Sequence, residues 1–120
     1  MNAGQICVAH SRLYVHESIA SAYIETLEKA IKLWKVGDPL TEGSLHGPLA
    51  DEIQFEKVLK YLEAGKKEGK VLVGGNQVAN SDGLFIEPTV FTEIPDDAII
   101  NREEIFGPVM IVHTVSKEVL

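Results

Sequence analysis

The run PVMIVHTV, residues 108–115, limits the architecture more than any other stretch of the chain. It is apolar at most positions, whereas a strand with one wet face alternates apolar and polar residues. A strand that leaves no face for water has to be covered on both sides, as in a parallel or mixed sheet lying between helices. A sheet built on this strand needs two coats, which the remaining residues have to supply.

They supply both strands and helices. SRLYVH (11–16) places Leu13 and Val15 on one side and Tyr14 on the other, the alternation of a strand. Ile19, Tyr23, Leu27, Ala30, Ile31 and Trp34 then recur at steps of three and four, predicting a helix with Glu25, Glu28, Lys29 and Lys32 on its wet face. Gly37 and Pro39 stop it. After a loop with Gly43, Gly47 and Pro48, Asp51 and Gln54 have capping-box spacing, and Ile53, Val58, Leu59 and Leu62 predict the buried stripe of a second helix that ends at Gly65. KVLVGG reads as a short strand and a turn, and LFIEPTVF as a strand interrupted by Pro88. IPDDAIINREEIFG reads as a loop with one acidic helical turn, for which Asn101 and Glu104 have the spacing of a second capping box. Strand, helix, helix and three strands with long crossovers predict an α/β fold with a mostly parallel sheet and flanking helices.

Charge narrows the partners. Eleven basic residues against eighteen acidic ones give a net charge of −7, so no cationic field is available for nucleic acid or an anionic membrane surface. No apolar run approaches the ~18 residues of a membrane span, and the start lacks the charged and apolar regions of a secretory leader. A single cysteine allows no internal disulfide, which favours a reducing compartment, the cytosol by default. His10, His16, His46 and His113 lack metal-site spacings and no second sulfur is present, so no metal is expected.

That cysteine, Cys7, follows NAGQ, where a turn is expected to meet a helix start. Converging backbone N–H groups at a helix start favour a thiolate, the nucleophilic form. The plain alternative is a small buried hydrophobe. NAGQIC is followed by SRLYVHESI, VGDPL, GPL, YLEAGKKEG, GG, GLFIEPTVF and EEIFGPV, and in this order and spacing the chain resembles the aldehyde dehydrogenase superfamily over essentially all 120 residues.

The resemblance implies a partial three-layer catalytic domain occupying residues 1–120, with the coenzyme-binding half and an oligomerisation strand absent. It implies an oxidoreductase that uses NAD or NADP to oxidise a small aldehyde to a carboxylic acid, as a homo-oligomer in its full-length form. Cys7 would attack the aldehyde carbon, and its own N–H would help hold the resulting oxyanion. Glu104, directly before IFGP, would accept hydrogen bonds from the nicotinamide ribose, with Phe106 packed near the nicotinamide. Gln54 and Lys57 would reach the same ribose. From the residues alone, Glu104 and Gln54 also fit local helix caps, Phe106 core packing and Lys57 a solvated face. With the family's general-base glutamate expected upstream of Met1, the isolated chain is expected to be inert. Two other readings stand beside this one. The first is a non-catalytic remnant that binds or regulates a full-length relative. The second is a cysteine hydrolase, which needs a His close to Cys7.

Overall fold

The computed structural model describes residues 2–116. A left-handed turn, Asn2–Gly4, precedes strand β1 (Arg12–His16) and helix α1 (Glu17–Lys32). Helix α2 (Glu52–Glu68) leads into β2 (Lys70–Val73) and β3 (Thr89–Thr92), and a short helix α3 (Ile99–Arg102) precedes β4 (Val109–Val115). The strands form one sheet in the order β1-β4-β3-β2. β4 pairs in parallel with β1, Arg12 opposite Ile111, and with β3, Thr89 opposite Val109. β2 pairs antiparallel with β3 at the edge, with an irregularity between Val71 and Val73.

The PVMIVHTV run is covered on both faces, as its composition demands. Val109 and Ile111 enter one core with Phe91, Leu62, Val58 and Ile100, beneath α2 and α3. Val112 and the half-buried Met110 enter the other with Val15, Val90 and Ala20, beneath α1. The result is a three-layer α/β/α arrangement with a mostly parallel sheet. No described helix is long and apolar enough to cross a membrane.

Both long helices bury part of the predicted stripe, Leu27 and Ile31 in α1 and Val58, Leu59 and Leu62 in α2, but depart from it at their first turns. In α1 the sheet side is Ala20, with Ile24, Leu27 and Ile31 packed beside it, while Ile19 and Tyr23 are exposed. The cause is phase: His16 ends β1 and also caps α1, its Nδ1 accepting from the Ser18 N–H at 3.2 Å. The rotational start of the helix is thus set by the strand and not by the first apolar residue. In α2 the Asp51 side chain caps the Gln54 N–H at 2.8 Å, as the spacing predicted. Ile53, however, is 83% exposed and Phe55 takes the core position.

α2 also runs through Gly65 and ends at Gly69. Gly65 is buried because its missing side chain makes room for another element: a Cβ there would lie 2.7 Å from Phe91 Cζ and 2.9 Å from Ile100 Cδ1. Gly65→Ala gains ~1 kcal/mol of helix propensity but meets an overpacking cost of ~1–3 kcal/mol. The expected net effect is a loss of about 1 kcal/mol, read as a lower urea midpoint at unchanged slope. An unchanged or raised midpoint would show that Phe91 and Ile100 move aside freely.

Candidate functional site

The Cys7 loop is fixed by a left-handed turn and one amide. Asn2, Ala3 and Gly4 all have positive φ, and Ala3 is buried in the core. Gly4, at φ 74°, lies so close to the backbone of Gly107 that a Cβ would sit 1.9 Å from its carbonyl oxygen. Gln5 ties this turn to the approach of α2. Its Oε1 accepts from the Ala50 N–H at 2.8 Å, and its Nε2 donates to the Asn2 and Pro48 carbonyls at 3.0 and 3.4 Å. Cys7 then sits exposed in a turn closed by the Ala9 N–H on the Ile6 carbonyl at 2.9 Å.

No helix starts at Cys7; the chain passes from this turn into β1. The expected helix start is corrected for a clear reason. Residues 11–16 alternate rather than repeat at three and four, and pairing with β4 holds them extended. The thiol is therefore presented by a turn, without a helix dipole behind it. The turn's hydrogen bonds use the N–H groups of Gln5 and Ala9, and that of Cys7 is in neither.

The second half of the site is the segment 101–108. Its backbone is held by side chains. Arg12 donates through Nε to the Asn101 carbonyl at 2.7 Å and through Nη2 to that of Glu103 at 3.1 Å. Lys57 donates to the Glu104 carbonyl at 3.2 Å, and the Gln54 amide nitrogen to those of Ile105 and Phe106 at 2.9 and 2.8 Å. His113 Nε2 adds a contact of 3.0 Å to Asn101 Oδ1. Tyr61 donates to the Glu103 carboxylate, and that bond, with burial and the carboxylate's charge adding to it, raises the Tyr61 hydroxyl above its ordinary pKa. Phe106 is left at φ 58°, a conformation costly for a bulky residue and kept only where the surroundings over-determine it.

These contacts correct two capping boxes. Asn101 lies inside α3, whose N-cap is Ala98, and Glu104 follows the helix, so the Asn101–Glu104 box does not form. Gln54 receives Asp51's cap, but its own side chain turns to Ile105 and Phe106. The Glu104 carboxylate takes no part in the bonds that hold its segment and is exposed.

Cys7, Glu104 and Phe106 line one open groove of about 480 Å³, with Arg12, His10 and Trp34 also on its wall. Gln54 lies instead on a second groove, of about 700 Å³, that shares Phe106 with the first. Lys57 reaches the site from behind, through the Glu104 carbonyl. His10 and His46 both border the Cys7 groove, yet among the described residues no His is hydrogen-bonded to its sulfur. No group of three His, Cys, Asp or Glu among the described residues is placed to hold a metal.

His46, on both grooves and without metal-site spacing in the sequence, is only 8% exposed, with Nε2 unpartnered among the described residues. Burial pushes its pKa below the ordinary 6.5. The unfolded chain therefore binds this proton at a higher pH than the folded one does, so stability is full above about 6.5 and falls as pH drops from there through the folded value. We expect the thermal midpoint to decline over that window and His46→Gln to flatten the decline. An equal decline in the variant would assign it to other groups.

The comparisons agree on one relationship. The model of the aldehyde dehydrogenase family matches residues 1–119. Aldehyde dehydrogenase 1 of Tanacetum cinerariifolium is 48% identical over 111 residues, covering 92% of this chain and 22% of that protein. Hydroxyisobutyraldehyde dehydrogenase of Mycolicibacterium austroafricanum is 47% identical over 109 residues, covering 89% and 22%. The structure of betaine aldehyde dehydrogenase from Staphylococcus aureus in complex with NAD+ superposes with a TM-score of 0.92 at 35% identity, over 98% of this chain and 24% of that one. The chain thus spans about a quarter or less of the length of these relatives. A matching family model over nearly every residue, a sheet and helices that superpose on a relative's, and a cysteine facing the EEIFGP segment converge: the chain belongs to the aldehyde dehydrogenase family.

Proposed function

We propose that these residues are the nucleophile-bearing part of an NAD- or NADP-dependent aldehyde dehydrogenase, whose coenzyme-binding half and oligomerisation strand are contributed by chain outside them. The observation that carries this reading is the exposed Cys7 thiol on the same groove as Glu104 and Phe106, in a member of this family. The NAD-bound relatives support a nicotinamide cofactor.

The residues fit such a cofactor. An exposed carboxylate on an immobilised backbone offers two oxygens to a ribose diol, which is what Glu104 presents. Phe106, held at an unusual φ between the two grooves, offers an aromatic surface beside it. Lys57, which lines neither groove, holds the Glu104 carbonyl from behind, and Gln54 has given its N–H groups to the Ile105 and Phe106 carbonyls, so both support the cofactor by fixing the backbone that carries Glu104.

In the reaction we propose, the Cys7 thiolate adds to the aldehyde carbon, a C–S bond forms, and the carbonyl electron pair moves to oxygen, where the Cys7 N–H is available to it. The nicotinamide, when bound, supplies the hydride acceptor that makes a thioester from this thiohemiacetal. Water then adds to the thioester carbon, and the C–S bond breaks to give a carboxylic acid and the free thiol. At about 480 Å³ the groove has room for a small aldehyde. Homo-oligomeric assembly and a reducing compartment complete the proposal.

The test compares two proteins supplied with propanal and NAD+ or NADP+, with the reduced cofactor followed by absorbance. A longer chain carrying these residues together with the missing portions of its relatives should turn over. The 120 residues alone should not, since a general base alone is worth ~10²–10⁴ in rate. Steady turnover by the 120 residues would contradict the division of labour proposed here.

A further inference from the structure

The segment that carries Glu104 is irregular backbone between α3 and β4, and its fixation comes from elsewhere in the chain. Four of its carbonyls, those of Glu103, Glu104, Ile105 and Phe106, together with that of Asn101 in α3, accept from three side chains. Two of these, Gln54 and Lys57, come from α2. The third, Arg12, is the first residue of β1 and lies five residues after Cys7.

Arg12 is thus the one brace among the three that belongs to the nucleophile's own stretch of chain. We infer that Arg12 is a positioning residue that sets the separation between the Cys7 thiol and the Glu104 carboxylate across the groove. The inference rests on the function proposed above and adds to it a residue whose side chain touches backbone carbonyls and not the reacting atoms.

The chemistry favours arginine specifically. A guanidinium presents several N–H donors in a rigid plane and can address two carbonyls at once, here from Nε and Nη2 at 2.7 and 3.1 Å. It also places positive charge where α3 ends, against carbonyls left without helical partners. A lysine has a single nitrogen on a flexible stem and holds one carbonyl or the other with less definition. The strand beneath is itself fixed, with Arg12 opposite Ile111 in the parallel pairing with β4 and the Ile111 N–H on the Ser11 carbonyl at 2.9 Å. The Cys7 turn, β1, Arg12 and the Glu104 segment therefore form one mechanical path from nucleophile to carboxylate.

The test uses the longer, active chain with Arg12→Ala and Arg12→Lys. Steady-state kinetics with propanal would be run against NAD+ and NADP+ in turn, alongside the rate of Cys7 alkylation by iodoacetamide without cofactor. Loss of two charge-assisted bonds should raise the cofactor KM of Arg12→Ala by roughly tenfold or more. The alkylation rate should stay within about twofold, because the thiol is presented by its own turn and by Gln5. Arg12→Lys should fall between Arg12→Ala and wild type.

Should Arg12→Ala not fold, Arg12→Lys carries the test, with the same rise in cofactor KM in smaller measure and unchanged alkylation. Three results overturn the inference. One is an unchanged cofactor KM in a folded variant. Another is a parallel fall in alkylation and cofactor use, the mark of a merely structural role. The last is failure of the wild-type chain to use either cofactor, which removes the proposed function as well and is distinguishable because it precedes any substitution.

Discussion

Replacing Cys7 by serine in the active, longer chain is expected to lower aldehyde oxidation by on the order of 10⁴-fold while leaving cofactor affinity within about twofold. The size of the effect follows from nucleophile chemistry. A thiol is a few per cent thiolate near neutral pH and intrinsically reactive, whereas a serine hydroxyl stays protonated without a base built against it. No His among the described residues is hydrogen-bonded to this position to serve as that base. The exposed side chain packs into neither core, so the substitution should be nearly silent in a thermal melt. Turnover, cofactor binding and melting measured on the same preparation separate these effects. Activity retained within tenfold would mean that Cys7 is not the attacking group.

Gly4→Ala is expected to be the most damaging single methyl group that can be added near the groove. A Cβ at this position would lie 1.9 Å from the Gly107 oxygen and 2.5 Å from its carbonyl carbon, and backbone atoms cannot rotate away as a side chain can. The residue also sits at φ 74°, where an L side chain costs ~1–2 kcal/mol before any clash. Added to an overpacking cost of ~1–3 kcal/mol, the loss should be about 3 kcal/mol or more. Either the Cys7 turn separates from the Gly107 backbone or the core beneath Ala3 opens. Urea unfolding measures the loss of stability and Cys7 alkylation the separation of the turn, since a detached turn changes access to the thiol. A midpoint within experimental error of wild type would show that the two backbones do not make this contact.

How much of this was legible in the sequence follows from the range of the interactions. The apolar run in β4 declared a sheet covered on both faces, because burial of both faces is written in consecutive residues. The Asp51 cap was readable for the same reason, its partner being three residues away. The buried sides of the helices were only partly readable. Ile19 and Tyr23 fit a stripe as well as Ala20 and Ile24 do, and the phase was decided by the junction of α1 with β1 at His16. Gly65 looked like a stop because glycine in a helix is costly, but Phe91, twenty-six residues on, needs the space.

The site shows the same division. Cys7 stood out as a lone cysteine after NAGQ, and EEIFGPV stood out through the resemblance, so both walls of the groove were visible as motifs. The spacing of Asn101 and Glu104 misled, since it imitates a cap that the end of α3 precludes. Arg12 and the bracing roles of Gln54 and Lys57 were invisible. Their partners are backbone carbonyls 47 to 91 residues away, and a carbonyl has no letter of its own in a sequence. Gln5 left a faint signal, an amide wedged between glycine and cysteine, whose meaning appeared only when Pro48 and Ala50 were found beside it.

The most direct test of the central claim, that Cys7 forms the covalent link to the substrate on a groove shared with Glu104 and Phe106, is mass spectrometry of a rapidly quenched reaction. The longer chain would be mixed with propanal and NAD+ or NADP+, stopped in acid and digested, and the peptide containing Cys7 examined for a propanoyl group on sulfur. The account predicts a propanoyl thioester on Cys7 that requires the cofactor, disappears after hydroxylamine and is absent from Cys7→Ser. Aldehyde oxidation proceeding with the Cys7 peptide unmodified at every quench time, or with the acyl group on another residue, would contradict it.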